Sequence, residues 1–152
     1  MIVTDTSMSF LKVINISEIV NPYSIETDTN MIILAGRDTN NNGIISVLDE
    51  LDEWKTLILC RPESSTEACT FYDLLYHNGE WTIVGMVERI GNGFIPIKCL
   101  CYSFDSDITS SNIFVEEVIP MKSLQRIEIY NEYLYTYGGV TNQGGYVCRR
   151  LA

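Results

Sequence analysis

The chain has 152 residues, 46% of them hydrophobic and 20% charged; this excludes a disordered chain and suits one globular domain that buries roughly two-thirds of its unfolded surface. Ten Lys and Arg against 20 Asp and Glu leave a net charge of −10, which speaks against duplex nucleic acid and anionic membrane as partners, because both require a basic surface. No apolar stretch approaches the ~20 residues of a membrane-spanning helix.

The opening MIVTDTSMSFLKVINI lacks the basic start and long apolar core of a secretory signal. Within it, SFLKVINI (Ser9–Ile16) alternates and predicts a strand. Three loosely similar phrases follow. The first, PYSIETDTN-MIILAG-RDTNNNG-IISVLDELD, runs from Pro22 to Asp52. The second, FYDLLYHNGE-WTIVG-MVERIGNG-FIPIKCLCYSFD, runs from Phe71 to Asp105, and the third, QRIEIYNE-YLYTYG-GVTNQGG-YVCRRLA, from Gln125 to Ala152.

Each phrase predicts a short strand, a tight turn at Asn30, Asn78 or Asn131, and a second strand ending at Gly36, Gly85 or Gly138. A polar loop then closes on Gly43, Gly93 or Gly145, and a third strand follows. Ile32–Leu34, Trp81, Ile83, Val84 and Tyr133, Tyr135, Tyr137 are β-branched or aromatic residues suited to pleated surfaces. Asn78-Gly79 is a strong hairpin signal because both positions tolerate positive φ. Glycine at a strand end suits a bend or a close backbone approach. No segment longer than a few residues has helical periodicity. The chain reads as all-β.

The spacing from Gly36 to Gly85 is 49 residues and from Gly85 to Gly138 is 53. A period near 50 built from short strands predicts a β-propeller, whose blades carry four strands each. EWKTLILC (Glu53–Cys60) and NIFVEEVI (Asn112–Ile119) supply fourth strands for the first two blades. The third phrase has none, whereas Ser9–Ile16 has no blade of its own. The reading is therefore a single domain, residues 1–152, of three blades: about 22–60, about 69–119, and about 125–152 completed by strand 9–16. Three blades cannot close a ring, so a homodimer of six blades is expected, with Ser9–Ile16 of one chain pairing beside Tyr146–Leu151 of its partner.

The strand-Gly-Gly of YLYTYGGV, with single-glycine versions at Gly36 and Gly85, resembles kelch-type propeller repeats. Ser103-Phe-Asp105, and Asp49 with Trp54, supply parts of the Asp-box pattern of sialidase-like propellers. The resemblance implies the propeller fold. It also implies that loops joining second to third strands, and fourth strands to the next blade, gather at one mouth of a central channel. There stand Arg37, Asp38, Asn40, Arg61, Glu88, Arg89, Lys122, Asn142 and Gln143, hydrogen-bonding groups of the kind that small-molecule sites use. Arg37 and Arg89 hold matching places in two blades and are the expected centre of a site for a small polar ligand or glycan. Asn and Gly can equally fill such loops for turn geometry alone. Kelch-type propellers also imply the alternative of a protein-interaction scaffold. The two readings part on the surface: a ligand binder concentrates polar groups at the mouth, and a scaffold exposes an apolar or strongly charged patch.

Catalysis is not expected. The one histidine, His77, falls in a hairpin turn, and no nucleophile elbow, metalloprotease or P-loop pattern is present. A sialidase-like hydrolase needs a cluster of arginines, and only Arg37 and Arg89 fall in equivalent loops. Cys60, Cys69, Cys99, Cys101 and Cys148 show no metal-ligand spacing, so no metal or cofactor is expected, and reduced thiols in a cytoplasmic protein are. Trp81, on a second strand, is expected to be buried between blades, and Trp54, at the start of a fourth strand, less so.

Overall fold

The structure is a computed structural model and describes residues 2–4, 10–13, 21–27, 31–48, 54–91, 95–105, 114–116, 124–140 and 144–151. Among these, every regular element is a strand. In chain order they are β1 (Ile2–Thr4), β2 (Phe10–Val13), β3 (Asn21–Thr27), β4 (Ile32–Arg37), β5 (Gly43–Leu48) and β6 (Trp54–Cys60). There follow β7 (Glu67–His77), β8 (Glu80–Arg89), β9 (Ile95–Asp105), β10 (Phe114–Glu116), β11 (Arg126–Tyr130), β12 (Tyr133–Val140) and β13 (Gly144–Leu151).

The strands form three antiparallel sheets in plain chain order, β3-β4-β5-β6, β7-β8-β9-β10 and β11-β12-β13, plus the two-stranded pair β1-β2. Consecutive pairing is what short hairpin turns impose. Asn78 and Gly79 have φ of 51° and 87°, and Asn131 and Glu132 have 48° and 64°; two successive positive values make the turn whose twist matches that of the flanking strands. The expected turn at Asn30 lies outside the described residues. Within the chain Phe10–Val13 pairs with Ile2–Thr4, and among the described residues β13 has a ladder partner only in β12.

The second sheet lies between the other two, and its middle strand shows it most plainly. Every residue from Trp81 to Glu88 is buried, as a strand covered on both faces must be. One face carries Trp81, Ile83 and Val87, which join Phe71, Leu74, Leu100, Tyr102 and Phe104 against Ile33, Ala35 and Ile45 of the first sheet. Trp81 is fully buried and Trp54 half-buried, and the Phe71 and Tyr102 rings meet edge to face at 5.4 Å. Each such side chain contributes about 1.5–3 kcal/mol by leaving water. The other face carries Val84, Cys99 and Cys101 against Leu124, Ile127 and Leu134 of the third sheet.

Glycine does not end the second strand in the second sheet. β8 continues four residues beyond Gly85, to Arg89, and β7 begins at Glu67. Gly85 sits opposite Phe71 where β7 bulges at Tyr72. A Cβ there would strike the Thr70 carbonyl oxygen and lie 2.9 Å from Phe71 Cα. The bulge swings the β7 backbone over this position, so the close approach expected of the glycine is present, in mid-strand. The first sheet repeats the device: Pro22 pairs with Gly36, Ser24 pairs with Ala35, and Tyr23 is the extra residue. In the third, β11 and β12 pair in regular register from Arg126–Tyr137 onward, and the Gln125 amide just before β11 donates to Tyr137 O at 3.0 Å.

Candidate functional site

The bulges bring residues from separate sheets together along their first strands. Ser24 Oγ donates to Asp73 Oδ1 at 2.8 Å. Asp73 Oδ2 accepts from the Ile127 amide at 3.1 Å and lies 3.9 Å from Arg126 Nη1. Ser24 and Asp73 each stand just after a bulge and Arg126 opens β11, so one carboxylate ties β3, β7 and β11. The extra residues of the two bulges also meet: the Tyr23 and Tyr72 rings are 4.9 Å apart and tilted by 57°.

Above this pair lies Glu88, whose side chain is 1% exposed. It accepts from Arg37 Nη1 at 3.2 Å, from Thr70 Oγ1 at 3.0 Å and from Tyr72 Oη at 3.5 Å. Burial raises its carboxyl above the ordinary 4.5, and Thr70, Arg37 and Tyr72 oppose that rise. Burial, then the neighbouring Glu88 charge, pushes the Tyr72 phenol up, so that it stays a donor. A buried carboxylate requires this kind of company.

The expected site is therefore rearranged. Glu88 and Arg89 belong to β8 and not to a loop, and only Glu88 meets Arg37. Arg37 follows Gly36 by one residue and Arg89 follows Gly85 by four, so the register does not match them; Arg89 is exposed at the far end of β8. The polar atoms of Asp38 are used within its own loop. Oδ1 accepts from the amides of Asn40 and Asn42, both at 2.8 Å, and Oδ2 accepts from Asn42 Nδ2 at 2.7 Å. Asn40 and Asp38 thus shape a turn that carries Asn41 at φ 64° and docks its carbonyl on the Cys69 amide at 2.9 Å. Arg61 is exposed just after β6. Lys122, Asn142 and Gln143 lie outside the described residues.

A different surface stands out on the third sheet. Leu134 and Thr136 of β12 turn toward the second sheet and are buried; Tyr133, Tyr135 and Tyr137 alternate with them and face away. Glu128, Tyr130, Tyr135, Tyr137 and Val147 line a shallow hollow of about 360 Å³. Tyr130 is 67% exposed and Val147 65%. Glu128, Tyr135 and Arg149 are ladder neighbours across this face, and the Arg149 guanidinium lies 4.9 Å from the Tyr133 ring centre. At the opposite end of the series, Ile25 and Ile58 of the first sheet are 48% and 41% exposed. They pair with Leu34 and Ile44, so they stand on the face turned away from the second sheet.

Sequence reasoning missed Ser24, Asp73, Tyr23 and Tyr72. A signal was present in the first two phrases, where Pro22-Tyr23-Ser24 and Phe71-Tyr72-Asp73 are 49 positions apart, but the bulge that makes them meet is a three-dimensional feature. Among the described residues, no group of three or more His, Cys, Asp or Glu could hold a metal ion, and no helix is long and apolar enough to cross a membrane. No family model, no curated protein and no solved structure matches the chain.

Proposed function

We propose that the chain is part of a non-catalytic β-propeller that serves as a protein-interaction scaffold, with a second copy of itself completing a six-bladed ring. The aromatic outward face of the third sheet carries this reading. Tyr130, Tyr135, Tyr137 and Val147, with the Glu128 carboxylate among them, form an open, largely aromatic patch of the kind that marks a contact with another protein. Its counterpart is the part of the first sheet's outward face that exposes Ile25 and Ile58, beside Leu34 and Ile44, which are already buried with Trp54 against them. Three features support blades arranged around an axis: sheets in plain consecutive order, repeated first-strand bulges, and first strands tied side by side through Asp73. Propellers have typically about four to eight blades, so three need a complement. Head-to-tail stacking of third sheet on first sheet, twice, closes the ring about a two-fold axis. In the same assembly Phe10–Val13 of one chain adds to the free edge of β13 in the other.

Val147→Arg tests the face. The expected result is a folded chain that has lost self-association, because an unpaired guanidinium would be buried in the contact. Unaltered association in this variant would rule out the third-sheet face as the contact.

A second reading is a small polar ligand or glycan at the mouth, favoured by the Tyr23–Tyr72 pair beside Arg37. It rests on fewer groups than the residue pattern suggested, because Glu88 and Asp38 are occupied by neighbours. A thermal-shift screen with glycans and nucleotides checks it, since a ligand raises the melting temperature by mass action.

A further inference from the structure

The end of the first sheet and the start of the second bring two cysteines together. Cys60 closes β6 and Cys69 lies near the start of β7, nine positions on, with their sulfurs 2.6 Å apart. That is far inside the separation of about 3.5–4.0 Å at which even two carbon atoms rest in contact. The surroundings hold the pair in place. Gly43 is the ladder partner of Cys60, and a Cβ on it would come within 3.2 Å of Cys69 Cβ and 2.8 Å of the Phe71 ring. The missing side chain is what lets β7 lie against this edge. The Cys69 amide is tied to Asn41 O at 2.9 Å.

We propose that Cys60 and Cys69 form a reversible disulfide that clamps the first sheet to the second. The two thiols have different parts. Cys60 is half-buried and Cys69 fully buried, so an external reagent meets Cys60 first. The hydrogen bond with Cys69 holds the Cys60 thiol below its ordinary pKa. Tyr102 and Lys98 add to this while burial opposes it. The hydrogen bond to Cys60, then burial, raises Cys69. With a small-molecule disulfide as oxidant, the Cys60 thiolate attacks one sulfur and expels the other half as a thiolate. Cys69 then loses its proton to solvent and attacks the Cys60 sulfur of the mixed disulfide, expelling the second thiolate. The protein loses two hydrogens, and the oxidant is reduced to two thiols.

The test uses the full native chain incubated with glutathione disulfide, then alkylated under denaturing conditions and weighed intact. Three alkylated cysteines are expected instead of five. Cleavage after Glu63 and Glu67 should give fragments carrying Cys60 and Cys69 that stay joined until a reductant is added. The melting temperature should rise on oxidation and return on reduction. Cys69→Ala should accumulate a stable glutathione adduct on Cys60, and Cys60→Ala should leave Cys69 unmodified in the folded protein. Five alkylated cysteines after oxidation, a link through Cys99, Cys101 or Cys148, or an adduct first on Cys69 would each overturn the proposal.

Discussion

Ser24 and Asp73 stand 49 positions apart and meet at 2.8 Å, hydroxyl to carboxylate, each just after a bulge in the first strand of its sheet. The contact joins two copies of one local design. Asp73 also satisfies the amides of Leu74 and Ile127, the latter in a buried residue. Asp73→Ala would strand that amide in the interior and is expected to cost about 2–3 kcal/mol, against about 1 kcal/mol for Ser24→Ala. Urea unfolding of the two variants measures both; equal, small losses would show that Asp73 does not tie the sheets.

Burial of Glu88, opposed by Thr70 and Arg37, sets a pH dependence. Glu88 is raised above 4.5 in the folded chain, so folding holds its proton more tightly than the unfolded chain does. The stability this confers is present at low pH and is lost as pH rises through the raised value. Arg37→Ala is expected to cost about 3 kcal/mol at neutral pH by leaving a buried carboxylate without its cation. The deficit should shrink as pH falls through the raised value, because a protonated Glu88 needs no cation. Arg89→Ala, at an exposed strand end, should stay within about 0.5 kcal/mol. Urea midpoints at several pH values decide, and a deficit that grows on acidification would contradict the assignment.

Trp81 and Trp54 offer a packing test. Trp81 is fully buried in the layer between the first two sheets, whereas Trp54 is half-buried at the edge of a small cluster with Leu34 and Ile44. Trp81→Ala is expected to cost about 3–5 kcal/mol and Trp54→Ala distinctly less. Denaturant midpoints rank the two, and a reversed order would count against the layer between the sheets as the main core.

The strand plan was largely legible because it rests on local chemistry. Asn78-Gly79 and Asn131 set hairpins by their backbone freedom, and the alternation of Tyr133, Tyr135 and Tyr137 marks a strand with one open face. The site was less so. Arg37 and Arg89 look equivalent when counted from nearby glycines. The bulge at Tyr72 carries β8 past Gly85 and takes Glu88 and Arg89 out of the loop. Asp38 and Asn40 read as ligand groups from their type, and only the folded loop shows Asp38 accepting from Asn40 and Asn42. The nearness of Cys60 and Cys69 depends on Gly43, a residue whose contribution is the absence of a side chain.

Assembly is the most direct test of the propeller reading. Three sheets in series leave Tyr130 and Val147 exposed at one end and Ile25 and Ile58 at the other, and the proposed six-bladed ring would cover both with a second copy. Light scattering on the purified chain, at concentrations spanning a hundredfold dilution, should give twice the 17.3 kDa chain mass. A well-folded monomer at 17.3 kDa throughout would contradict the six-bladed ring.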